Sequence, residues 1–182
     1  LPISDEQGPD PMVTVAETVA FVVYAVKQFC FGFERLYGIA DEYQDGSPAK
    51  AFYLSALYNY VAIFYLLDRG NRPMGGALYP ALERHGLQHL LEPIRSILDQ
   101  PMGTTSFGEF VRVIRNKAIV HPEFRDADID QAYRHADMQN PENQDRFQQL
   151  LAALHVATRE LAWQVVREAG LQPEDFGIRE RQ

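Results

Sequence analysis

The chain has 182 residues, 46% hydrophobic and 23% charged, with a formal charge of −8 and a pI near 5.1. That length and balance predict one globular domain with a substantial core. The acidity excludes a broadly basic surface that coats nucleic acid, though not a local basic cleft. The single cysteine, Cys30, excludes an internal disulfide and points to a reducing, cytoplasmic setting.

Residues 1–12 read as a flexible tail carrying Pro2, Pro9 and Pro11, with no signal-peptide pattern. A long helix follows from Val13 to about Tyr37. Its apolar face is set by Val15, Val19, Val22, Val23, Val26, Phe29, Cys30, Phe33 and Leu36. The apolar run Val19 to Val26 is too short to cross a bilayer, so this is a core helix and no membrane contact is expected. Cys30 belongs to the core rather than to a nucleophilic site.

Ser47-Pro48 opens a second helix, with Ser as cap and Pro in the first turn, running to about Arg69. Phe52, Tyr53, Leu57, Tyr60, Val61, Phe64, Tyr65 and Leu67 make it apolar on most sides. Such a helix is central or covered by a partner subunit. Its four tyrosines, Tyr53, Tyr58, Tyr60 and Tyr65, fit packing better than base stacking.

Residues 70–76 are a glycine-rich linker without the lysine and hydroxyl of a phosphate-binding loop. Ala77 to Asp99 supplies one or two short helices, broken near Gly86 and Pro93. His85 and His89 stand four apart, with Glu92 one turn on, a spacing that can hold a metal. Gly86 weakens that helix and the metalloprotease Glu is missing, so no metal site is expected. Residues 101–105 read as loop.

Ser106 to His121 is the most informative stretch. Ser106 and Glu109 make a capping-box pattern, and Pro122 ends the helix at His121. Phe110, Ile114 and Ala118 recur every four residues, with Val111 and Val113 beside them, as a buried stripe. Arg112, Arg115, Asn116 and Ile119 share another face. Arg115 and His121 are then about 9 Å apart along the axis and about 120° apart around it. The broken end at Pro122 and the reach of Arg let both meet one phosphate. Arg offers a permanently charged fork for phosphate oxygens, and His exchanges a proton near neutral pH.

Past Pro122, Asp126, Asp128 and Asp130 begin like a calcium loop, but Gln131 stands where glycine is required, so a solvated loop is expected. Arg134, His135 and Asp137 follow, then a break at Asn140-Pro141. The last long helix is expected from Arg146 to about Ala169, with Phe147, Leu150, Leu151, Leu154, Ala157, Leu161, Trp163, Val165 and Val166 in the core. Gly170 and Pro173 stop it, and residues 171–182 form a polar tail. No strand is expected. The fold class is all-α: an antiparallel bundle with short connecting helices, formed by residues 13–170.

Arg115-Asn116, then His121 at the end of a late helix in a small all-helical chain, resembles the HEPN superfamily. Its hallmark is Arg, four to six residues, then His, with Asn, Asp or His often just after the Arg. The aromatic stretch Tyr53 to Leu67 also resembles the long helix of abortive-infection-like members. A second match, Arg84 to His89, has His85 just after the Arg but is interrupted by Gly86 and lacks the cap.

The resemblance implies a homodimer whose shared interface carries two copies of the motif. It implies a toxin or phage-defence ribonuclease that needs no metal or other cofactor, with an antitoxin or nucleotidyltransferase as partner. Arg115, Asn116 and His121 would be catalytic, and Arg112, Lys117 and Arg125 would bind the RNA substrate. Two features pull the other way: the acidic balance, and a count of only three lysines. HEPN relatives also include non-catalytic dimers that bind a nucleotide or a protein. A purely structural account makes Arg115 a solvated charge and His121 a helix cap.

Overall fold

A computed structural model describes residues 13–42, Ser47, 78–114 and 126–178. The expected second helix with its tyrosines, and the 70–76 linker, lie outside the described residues. Among the described residues helices dominate, as expected of an all-α chain, and one small sheet is present.

α1 runs from Val15 to Asp41. Its start is a full capping box that the Thr14-Val15-Ala16-Glu17 sequence encodes. The Glu17 amide donates to Thr14 Oγ1 at 3.2 Å, and the Thr14 amide donates to Glu17 Oε2 at 2.7 Å. The run Val19 to Val26 is short, but Val15–Leu36 as a whole is long and apolar enough to cross a membrane by length and composition alone. One face of it is nevertheless core: Val19, Val22, Val23, Val26, Phe29 and Phe33 are all buried.

The chief partner of α1 is the last long helix. That helix starts at Pro141, one turn before the expected Arg146, because Asn140 caps it by accepting from the Glu142 amide at 3.0 Å. It ends at Glu168. Gly170, with φ +69°, closes it. The Gly170 amide donates to the Arg167 carbonyl and the Leu171 amide to the Val166 carbonyl, the Schellman pattern. Phe147, Leu150, Leu151, Leu154, Leu161, Val165 and Val166 are buried as expected. Ala157 and Trp163 are only half-buried, while Thr158 is fully buried and donates its hydroxyl to the Leu154 carbonyl at 2.6 Å.

Between these helices come α2 (Leu78–Glu83), a 3-10 turn (Gln88–Leu91) and α3 (Glu92–Leu98). Pro93 sits in the first turn of α3 and starts it rather than breaking it. The expected loop at 101–105 contains a hairpin: β1 (Pro101–Met102) pairs antiparallel with β2 (Thr105–Ser106), Met102 facing Thr105. Met102 is fully buried.

α4 (Phe107–Ile114) follows directly, then α5 (Asp126–His135) and the last helix, α6 (Pro141–Glu168). α5 corrects the expected solvated loop. Ala132, and Ala136 just past its end, are buried. The polar tail is also only partly that: Pro173–Phe176 form a 3-10 turn, Ile178 is buried, and Lys27 donates to the carbonyls of Phe176 (2.5 Å) and Gly177 (3.3 Å).

Candidate functional site

α4 is the described part of the motif helix, and it is held firmly. Phe107, Gly108, Phe110, Val111 and Ile114 are buried. The Phe110 ring meets Phe147 and Tyr133 edge-on, with centroids 5.8 and 5.5 Å away, and Phe107 packs on Phe147 at 5.5 Å. Burying three aromatic rings around one short helix fixes its rotation as well as its position.

The expected capping box is half realised. The Glu109 amide donates to Ser106 Oγ at 3.3 Å. The Glu109 carboxylate turns to Arg112 instead of back to the cap. Arg112 Nε donates to Glu109 Oε2 at 2.8 Å, and its Nη2 donates to Oε1. Arg112, expected to bind substrate, is therefore held by a two-pronged carboxylate pair one turn away.

Arg115, Asn116, Lys117, His121 and Arg125 lie outside the described residues. Arg112 is the candidate site residue that the structure positions, on the turn of α4 before Arg115.

Beside α4 is an open groove of about 290 Å³, formed by α4, the hairpin and α5. Phe110, Val113 and Ala132 make its apolar wall; Thr105, Glu109, Gln131 and His135 give it polar edges. Sequence reasoning missed Gln131 and His135 as neighbours of the motif helix because it read the start of α5 as loop. The signal was the apolar-small spacing Ala132 to Ala136, one helical repeat.

The two histidines with metal spacing diverge. His85 Nε2 lies 3.1 Å from Thr18 Oγ1 on α1. His89 Nε2 lies 2.9 Å from Glu168 Oε2 at the end of α6, and its Nδ1 lies 3.2 Å from the Gly86 carbonyl. Glu92 pairs with Arg95 at 3.5 Å. Among the described residues, no three His, Cys, Asp or Glu side chains converge as a metal set. His89 of the second Arg-to-His match is thus tied to Glu168.

Cys30 is half-buried between α1 and α6, and desolvation followed by the nearby Glu34 charge raises its thiol to about 11. A thiol so raised is protonated at neutral pH and is a poor nucleophile.

No protein-family model, curated protein or solved structure matches this chain.

Proposed function

We propose that this chain is a metal-independent endoribonuclease of the HEPN type, acting as a homodimer with the two motifs at a shared interface. The observation that supports this reading best is the mounting of the motif. Arg115 is the next residue after a helix that is capped at Ser106 and buried along Phe107, Phe110, Val111 and Ile114. Catalysis by positioned charge needs such a rigid root.

In this mechanism the RNA 2′-hydroxyl attacks the adjacent phosphorus. His121 takes the hydroxyl proton, or donates one to the leaving 5′-oxygen. Arg115 stabilises the charge that grows on the phosphorane oxygens, and Asn116 positions one of the two. The products are a 2′,3′-cyclic phosphate and a 5′-hydroxyl. Lys117 and Arg125 bind neighbouring phosphates, with Arg112 secondary to them. A cytoplasmic toxin or phage-defence role, with an antitoxin or nucleotidyltransferase partner, belongs to the same reading.

A second reading, a non-catalytic dimer that binds a nucleotide or a protein, is favoured in its protein-binding form by one observation: Glu109 already engages Arg112 and lines the groove beside α4. A cation already paired is less suited to gripping phosphates.

The test is cleavage of a mixed RNA pool by purified protein in EDTA, beside Arg115→Ala and His121→Ala. Cleavage that survives EDTA and disappears in both variants is the expected result. No cleavage at high protein concentration, or equal cleavage by the variants, favours the binding reading.

A further inference from the structure

The outward face of α1 is aromatic. Tyr24 and Phe31 are 64% and 66% exposed, and Phe21 is exposed beside them. Tyr24 and Phe31 are seven residues apart, two helical turns, so they stand in line about 10 Å from each other. Large aromatic side chains left in water on one stripe mark an interaction surface.

The stripe is self-complementary along its length. Glu17 marks its N-terminal end and Arg35 its C-terminal end, both exposed. Antiparallel pairing brings these unlike charges near each other, and parallel pairing does not.

We propose that this face binds a second copy of the chain, with the α1 helices antiparallel about a two-fold axis between Lys27 and Gln28. That axis sets Tyr24 against the partner subunit's Phe31 and Phe31 against the partner subunit's Tyr24. The contact is isologous, so each aromatic pair forms twice. A lipid surface suits the face less well. α1 exposes Glu17 and Glu34 against Lys27 and Arg35, so it has no excess of cations, and the chain has a formal charge of −8, whereas helices that lie on membranes are rich in Lys and Arg. The inference uses no residue of α4, so it stands apart from the nuclease reading.

The experiment is sedimentation of the full chain over a range of concentrations, beside Phe31→Glu and Tyr24→Glu. The wild-type chain is expected to sediment as an even-numbered oligomer, and each variant to halve its mass with helical content unchanged. A dimer joined through α4 alone would keep its mass in both variants, and that result overturns the proposal. So does a wild-type chain that is monomeric at every concentration, including one that binds anionic vesicles through these aromatics. If either variant unfolds, a second measurement decides: Gln28→Cys in a Cys30→Ser background, treated with a mild oxidant. A disulfide-linked pair of chains supports the two-fold; its absence at concentrations where the oligomer forms rejects it.

Discussion

Gly103 lies so close to His135 that a Cβ placed on it would stand 2.2 Å from the His135 carbonyl oxygen. The same carbonyl accepts from the Thr104 amide at 2.7 Å. The hairpin thereby closes the C-terminal end of α5, where helix carbonyls lack partners of their own. Gly103 also has φ +57°, in the left-handed region. Gly103→Ala is therefore expected to destabilise the fold by roughly 2–4 kcal/mol, from backbone strain and a clash with main chain. Thermal unfolding checks this, and an unchanged Tm would mean that the hairpin can retreat from α5 without penalty.

Arg112 is already satisfied in part by Glu109. On the nuclease reading, Arg112→Ala should reduce cleavage only mildly, since Glu109 already holds its guanidinium. Arg115→Ala and His121→Ala should abolish it. Single-turnover rates for the three variants separate these cases. A loss with Arg112→Ala as deep as with Arg115→Ala would show that substrate displaces Glu109.

The capping box at the start of α1 predicts an acid-dependent contribution. Hydrogen bonds from the Thr14 amide and hydroxyl hold the Glu17 carboxyl below its ordinary 4.5. A lowered folded-state pKa adds stability above the unfolded value, and that stability disappears as pH falls through the folded one. Wild type should therefore exceed Glu17→Gln in Tm at neutral pH, with the gap closing below pH 4.5. Thr14→Ala, which removes the hydroxyl of the box, should cost about 1 kcal/mol at neutral pH.

Cys30 offers a chemical readout of the α1–α6 packing. Its thiol is pushed up from 9.0 to about 11, so near pH 8 the native thiolate fraction is about 100-fold below that of the unfolded chain. Iodoacetamide should label the native protein markedly slower than the unfolded chain, the lower thiolate fraction outweighing the greater nucleophilicity of each thiolate. Labelling at the unfolded rate would mean that the α1–α6 contact opens readily.

The long helices were legible in the sequence because their apolar residues recur at the helical period. Val19, Val22, Val26, Phe29 and Phe33 on α1, and Leu150, Leu151, Leu154 and Leu161 on α6, are buried where that spacing sets them. α5 was not legible, because its buried residues Ala132 and Ala136 are small and its first turn is acidic. The one apolar signal there is the Ala132 to Ala136 spacing, a single helical repeat of small residues. Met102 was missed for a different reason: two-residue strands have too little sequence for alternation to register. At the candidate site, the cap at Ser106 was readable from spacing. So in principle was the Glu109–Arg112 pair, three residues apart on one helix. The remaining motif residues lie outside the described residues.

The pairing of α1 with α6 also sets an order of events during synthesis. Val26 and Leu154, buried on the two helices, are separated by more than a hundred residues of chain. At ribosomal rates α1 waits about 6–25 s before its main partner has been made. Throughout that interval a valine- and phenylalanine-rich helix has neither its core nor its final neighbour. The nascent chain is therefore most exposed to aggregation before α6 leaves the ribosome.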